Sequence, residues 1–223
     1  MAWLGIDAAT RPGSVGLLAG TIRIQEALSA SGRHASDLLT TIEGVLDRAA
    51  ISRERLGGIG VAVGPGSFTG VRVGMATAKG IGFALDIPVA GLSTLEALAR
   101  AAVKAGARAG PLYAILEAGR GEIYAALFEV RAGVVERRDA DRAWKPADLA
   151  AALPAGAILA GAGAAQLPAG TRNSHAAVDP PLLGAALAEW AAQAIPSGGR
   201  YRAGGLGPNY VRPSDVEASR RQA

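Results

Sequence analysis

The stretch Gly60-Val-Ala-Val-Gly64-Pro65-Gly66-Ser67-Phe68-Thr69-Gly70-Val71-Arg72-Val73-Gly74-Met75-Ala76-Thr77-Ala78-Lys79-Gly80 decides the fold. The apolar run Ile59 to Val63 reads as a buried strand, a segment with helical spacing follows, and a Gly-Pro-Gly-Ser turn joins the two. A turn of this kind aims the free N–H groups of a helix start outward. Ser67 or Thr69 can cap them, and the same geometry binds phosphate or another anion. Gly64, Gly66 and Ser67 are thus candidate anion contacts, and equally a plain link between strand and helix.

Inside the helix, Gly66, Gly70, Gly74, Ala78 and Gly82 recur every fourth residue, so one stripe carries almost no side chain. An interior Gly costs roughly 1 kcal/mol relative to Ala, so the run predicts a compensating close contact. The neighbour is the protein's own sheet, a second helix, or a helix of another subunit. Phe68, Val71, Met75 and Ile81 flank the stripe and seat against a core or a partner.

The longer run from Gly60 to Ala99, GVAVGPGSFTGVRVGMATAKGIGFALDIPVAGLSTLEALA, resembles the signature segment of the bacterial TsaB (YeaZ) family. That family is the dimerization subunit of the machinery that makes threonylcarbamoyladenosine in tRNA. Similar stretches are Leu4-Gly-Ile-Asp7-Ala-Ala-Thr10, Arg33-His34-Ala-Ser36-Asp37-Leu-Leu39, Glu117-Ala-Gly-Arg120-Gly121-Glu122-Ile-Tyr124 and Pro208-Asn-Tyr210-Val-Arg212, so the resemblance spans nearly the whole chain. It implies an α/β, two-lobed, duplicated fold of the actin-like, sugar-kinase and heat-shock-chaperone (ribonuclease H-like) type.

Composition sets the outer bounds. A chain of 223 residues, 50% hydrophobic, buries a good core as one domain or two small ones and is not disordered. The absence of cysteine excludes disulfides, thiolate catalysis and zinc sites built on Cys. No apolar run approaches membrane-spanning length and no targeting segment follows Met1, which leads to the expectation of a soluble cytoplasmic protein. The net charge of +4 permits weak, salt-sensitive contact with an acidic partner such as tRNA. The basic residues are scattered except at Arg220 and Arg221, as on an ordinary solvated surface.

Along the chain, Ala2 to Asp7, Ser14 to Ala19 and Thr21 to Ala27 read as three strands. A helix follows with Ser36 as N-cap and Leu38, Leu39, Ile42, Val45, Leu46 and Ala49 at helical spacing. After the Ile59 strand and the glycine helix come a strand at Pro88 to Leu92 and a helix opened by Ser93 and Glu96. Beyond a link at Ala105 to Gly110 the order restarts: strands at Leu112 to Glu117, Glu122 to Val130 and Gly133 to Arg137, a helix at Pro146 to Ala152, and a strand at Ala157 to Ala160. A last helix spans Leu182 to Ile195, while Ala155 to Gly170 and Ser197 to Gly207 read as turns and linkers. The halves share one order, which predicts lobes at 1–106, carrying the dimerization helices, and 107–223.

Asp7 ends the first strand beside Thr10, as a metal-associated carboxylate or as a cap of the following turn. In the superfamily members that hydrolyse ATP this is where metal-bound phosphates sit, but the TsaB pattern has Thr after this Asp and this chain has Ala8, so a hydroxyl is missing. Asp7, Thr10, Gly64, Gly66 and Ser67 form the candidate anion or nucleotide set. Only His34 and His175 exist; the residue four positions after His34 is Leu38, so the paired-histidine metal site of the catalytic relative TsaD is not built, and His175 has only Asp179 as a close acid. A triad drawn on Ser67 has no nucleophile-elbow sequence behind it. Arg120, Gly121 and Glu122 read as a hairpin rim, facing the cleft by resemblance. Glu117 and Gly119 depart there from the family's usual residues. Tyr210 and Arg212 dock the tail onto the body.

The resulting expectation is a non-catalytic scaffold: a homodimer, or a heterodimer with TsaD, with TsaE in the larger complex and tRNA reached mainly through that complex. No catalytic residue, metal or resident cofactor is expected in the isolated chain, and ATP or ADP enters at the level of the complex. The candidate partner interface comprises Ser36, Leu39, Ile42, Leu46, Phe68, Gly70, Val71, Gly74, Met75 and Ala78 on two helices. The rival is a sugar-kinase-like enzyme or ATPase, with Asp7 on metal and the Gly64 to Gly66 turn on phosphate. A peptidase is a third reading that the single relevant histidine and the absent cysteine oppose.

Overall fold

The computed structural model describes residues 1–29, 34–171, 176–178, 181–197 and 205–211, with the backbone alone for 34–36. Strands β1 (Ala2–Asp7), β2 (Ser14–Ala19) and β3 (Ile22–Ala27) form an antiparallel meander. Helix α1 (His34–Arg48) leads to β4 (Leu56–Ala62), which pairs parallel to β1; α2 (Phe68–Leu85) then leads to β5 (Val89–Leu92), parallel to β4. Both β1 and β4 lie at the centre of the sheet with helices on either side, which is why they read as unbroken apolar runs rather than alternating ones.

After α3 (Thr94–Lys104) the second half opens with β6 (Gly110–Gly119), β7 (Glu122–Arg131) and β8 (Val134–Arg137). The β6–β7 hairpin turns on Arg120 and Gly121, with φ of 56° and 73°, the positive pair that a two-residue turn needs to match strand twist. There follow β9 (Arg142–Trp144), α4 (Pro146–Ala152), β10 (Ile158–Ala160), β11 (Ala176–Val178) and α5 (Gly184–Ala194). The sheets run β3-β2-β1-β4-β5 and β8-β7-β6-β10-β11. With β9 set aside, a short strand that pairs antiparallel with β7 off this path, both orders are third, second, first, fourth, fifth within their halves, with the same parallel and antiparallel pairings. Internal duplication, expected from element order, is therefore present in the topology.

The division at 106/107 separates the strands of the two sheets but not their helices. Helix α5, from the second half, lies on β1, β2 and β4, while α3, from the first, lies on β6 and β7. Glycines admit α5: a Cβ on Gly5 would stand 1.9 Å from the Gly184 carbonyl oxygen, one on Gly60 2.0 Å from that of Leu187, and one on Gly16 2.2 Å from the Gly184 carbonyl carbon. Backbone thus meets backbone, the use for which a strand tolerates an interior glycine. Leu4, Ile59, Leu98, Leu112 and Phe128 belong to one continuous core that crosses the division.

Several expectations shift. Helix α1 starts at His34, so Ser36 lies in its first turn instead of preceding it; the Asp37 carboxylate in that turn accepts from Ser29 Oγ at 2.8 Å. Helix α5 starts at Gly184, two residues late, because Ser14 Oγ accepts from the Leu183 and Gly184 amides at 3.1 and 2.9 Å and fixes the helix start on β2. Strands β9 and β11 have three residues each, too few to show a period. His175, Asp179, Arg212, Arg220 and Arg221 lie outside the described residues.

Candidate functional site

The glycine turn is closed by the chain itself. Asp7, wholly buried at the end of β1, accepts through Oδ1 from the Ala9 and Thr10 amides at 2.8 and 3.2 Å, and through Oδ2 from the Thr10 hydroxyl. These bonds bend 8–10 into a tight turn whose carbonyls face the start of α2. The Ser67 amide donates to the Ala9 oxygen at 2.8 Å, and a Cβ on Gly70 would stand 1.9 Å from the Ala8 oxygen. Ser67 Oγ caps the helix by accepting from the Gly70 amide at 3.2 Å. On the other side, Gly64 donates to Thr94 Oγ1 at 3.1 Å and accepts from the Thr94 amide at 2.8 Å.

Two backbone oxygens therefore stand where the positive end of α2 would attract an anion. Asp7, Thr10, Gly64, Gly66 and Ser67 lie around one turn, where Asp7 pairs with Thr10, Gly64 with Thr94, and Ser67 with Ala9 and Gly70. Burial pushes the Asp7 carboxyl up from 3.8 to about 6, against the pull of its hydrogen bonds with Thr10 and Ala9. A cleft of about 690 Å³ lies beside this turn, lined by Thr10, Arg11, Glu117, Tyr124, Asn209 and Tyr210 among others. Glu117 and Gly119 of the β6–β7 hairpin line it, whereas Arg120, Gly121 and Glu122, which the resemblance turned toward the cleft, are not among its lining residues. Among the described residues no three His, Asp or Glu side chains gather closely enough to hold a metal ion.

The stripe on α2 faces inward, which corrects the expected interface. Gly74 packs on Ala8 and Ile6, Gly82 on Val89, and Gly70 on the Ala8 carbonyl. Val71, Met75 and Ala78 are buried, so these residues and the stripe glycines contact the chain's own core and present nothing to a partner in this arrangement. Ile42 and Leu46 are also buried, and floor a groove between α1 and α2 that Leu39, Ile81 and Leu85 border.

The exposed surface of the helix pair is different. Phe83 is 88% and Leu39 49% exposed, with Ala76, Gly80 and Ala84 open beside Phe83. A Cβ on Gly80 would meet nothing within 4 Å. The sequence carried this signal too: at 100° per residue, Thr69, Ala76, Gly80, Phe83 and Ala84 share a side opposite Gly74 and Ala78. Phe68 sits at the edge, 37% exposed and stacked on Tyr210.

No described helix is long and apolar enough to cross a membrane. A model of the family described as TsaD, tRNA N6-adenosine threonylcarbamoyltransferase, matches residues 27–191. The tRNA threonylcarbamoyladenosine biosynthesis protein TsaB of Bacillus subtilis (strain 168) is 30% identical over 138 residues, 61% of this chain and 59% of its own length. The protein of the same name from Escherichia coli (strain K12) is 33% identical over 127 residues, 56% of this chain and 54% of its own. The chain thus spans between half and three fifths of the length of these curated relatives. The structure of YeaZ from Pseudomonas aeruginosa superposes with a TM-score of 0.78 at 27% identity, over 94% of this chain and 99% of that one. A crystal structure titled as an uncharacterized protein with similarity to peptidase YEAZ from the same organism gives a TM-score of 0.80 at 27% identity, over 95% and 99%. With its two duplicated sheets in the actin-like arrangement and these matches along most of its length, the chain belongs to the TsaD-type family and, within it, to the TsaB (YeaZ) group.

Proposed function

We propose that this chain serves the biosynthesis of threonylcarbamoyladenosine in tRNA as a non-catalytic subunit that pairs, through the outer face of α1 and α2, with a TsaD-type transferase or with a second copy of itself. One observation carries the reading: α2 exposes Phe83 and spends helix stability on Gly80, although among the described residues nothing covers the Phe83 ring or the open side of Gly80. Phe83 is 88% exposed, and Gly80 costs roughly 1 kcal/mol relative to Ala. A second helix lying against Ala76, Gly80 and Ala84 removes the Phe83 ring from water and gives the glycine its reason. The groove floored by Ile42 and Leu46 continues the surface onto α1.

The closed turn supports the non-catalytic half of the reading, because the Ala8 and Ala9 oxygens repel the phosphate that an ATPase or sugar kinase must hold there. Transfer chemistry, ATP or ADP, TsaE and most tRNA contact then belong to the assembled complex. The test is co-elution of the chain with the transferase on gel filtration. Phe83→Glu, which places a charge where the partner must cover it, is expected to abolish pairing while leaving the melting temperature near that of the wild type. A folded Phe83→Glu chain that pairs normally overturns this placement.

A further inference from the structure

Residues 205–211 return from the second half of the chain and lie along one edge of α2. The Asn209 amide donates to the Val63 carbonyl at 2.7 Å, extending the end of β4 by one bond. Lys79 Nζ donates to the Leu206 carbonyl at 2.7 Å, and Arg72 Nε to the Tyr210 hydroxyl at 2.7 Å. The Tyr210 ring stacks on Phe68 with centroids 5.1 Å apart, and the Arg72 guanidinium covers the Phe68 ring at 3.8 Å. Phe68, Arg72 and Lys79 lie along one edge of α2, immediately beside the side that carries Ala76 and Phe83. Glycines seat the segment: a Cβ on Gly64 would be 2.7 Å from the Asn209 oxygen, and one on Gly91 2.4 Å from Leu206 Cδ1.

The same segment is anchored on the far side. Asn209 Nδ2 donates to Asp141 Oδ2 at 2.6 Å, and Asp141, its side chain 5% exposed, also accepts from Ser93 Oγ at 2.7 Å and Arg137 Nη1 at 2.6 Å. Arg137 in turn reaches Glu96 on α3 at 3.4 Å. Asn209, Tyr210 and Val211 also line the cleft between the lobes. One short segment thus touches the cleft, the cluster in which Asp141 and Arg137 of the second half meet Ser93 and Glu96 of the first, and the edge of the exposed helix.

We propose that 205–211 is a strap that holds α2 in its partner-competent position, with Asn209 and Tyr210 as positioning residues and Asp141 as the anchor. The strap rests on the interface reading above, since it acts on the face assigned to the partner. It also makes that face answer to the second lobe: whatever loosens Asp141 or fills the cleft at Asn209 changes the edge of α2, and a partner seated on α2 tightens the strap by the same factor.

The test combines hydrogen exchange on the chain alone with pairing to the transferase. In Asn209→Ala, the amides from Val71 to Lys79 are expected to exchange about tenfold faster, the order set by losing a hydrogen bond to a carboxylate, while β6 and β7 keep wild-type protection. Tyr210→Ala, which removes the ring from Phe68 and Arg72, is expected to act most on Val71 and Arg72. Both variants are expected to weaken pairing about fivefold or more. Wild-type exchange of α2 in both variants overturns the strap, whatever pairing does. Faster exchange with unchanged pairing, in a preparation where Phe83→Glu abolishes pairing, also overturns it. If Phe83→Glu pairs normally, the interface reading falls and takes the partner half of this proposal with it.

Discussion

Adding one methyl group at Gly70 tests the closed turn in a way that adding one at Gly80 controls. Ala at 70 places its Cβ 1.9 Å from the Ala8 carbonyl oxygen, 2.9 Å from the carbonyl carbon and 3.2 Å from Ser67 Cβ. Carbon and oxygen in contact need about 3.3 Å, so the two backbones must part by about 1.4 Å. The turn bearing Ala8 does not give easily, because three hydrogen bonds to Asp7 and the Ser67 amide on Ala9 hold it. Against a gain of about 1 kcal/mol in helix propensity stand overpacking of about 1–3 kcal/mol and a strained hydrogen bond of about 1 kcal/mol. The expected net loss is about 1–3 kcal/mol, which in a chain of this size lowers the melting temperature by roughly 3–10 °C. Gly80→Ala has open space and is expected to raise it by about 2–4 °C through propensity alone. Thermal melts and urea titrations of the two variants side by side read both signs. A Gly70→Ala chain as stable as the wild type refutes the packing of α2 on the 8–10 turn.

Two further outcomes follow from the same geometry. The Asp7 carboxyl titrates near pH 6 in the folded chain and near 3.8 in the unfolded one, so the native state holds the extra proton between those values and loses stability as pH rises through them. The gap corresponds to roughly 3 kcal/mol of penalty on the carboxylate above pH 6. Asp7→Asn keeps an oxygen for the Ala9 and Thr10 amides and removes the ionisation; its urea midpoint is expected to gain on the wild type as pH is raised from 4 to 7, and a constant difference contradicts the burial argument. In the sheet, Gly60→Ala drives a methyl into the Leu187 carbonyl, 2.0 Å away, and is expected to cost at least about 1–3 kcal/mol in a urea titration, with neutrality contradicting the seating of α5 on β4.

Much of the architecture was legible because it is local. Strands such as Ala2–Asp7 and Leu56–Ala62 announce themselves as apolar runs, and the repeated order of strands and helices gave the duplication away. What was not legible depends on which surfaces meet. Helix α5 follows the second set of strands yet covers the first sheet, and only the glycines at 5, 16 and 60 hint at it. The glycine stripe on α2 announced a close neighbour without saying which; the neighbour is the turn after β1 and the β1 and β5 strands, which leaves the opposite side as the face we propose for a partner. Asp7, Thr10 and Ser67 could be grouped from their places at strand and helix ends. That Ser67 donates to the Ala9 carbonyl and Gly70 packs on that of Ala8 depends on the course of the backbone after Asp7, which side-chain identity does not encode.

On the proposed function this chain works by being held against a partner, with no chemistry at its own glycine turn. The most direct test is threonylcarbamoyladenosine formation on tRNA by a TsaD-type transferase, supplied with TsaE and the threonylcarbamoyl adenylate, in the presence of wild-type, Asp7→Asn or Phe83→Glu chain. Asp7→Asn is expected to support the wild-type rate, and folded Phe83→Glu to lose the stimulated rate. Full activity with Phe83→Glu, or its loss with a folded and pairing-competent Asp7→Asn chain, contradicts the proposed function.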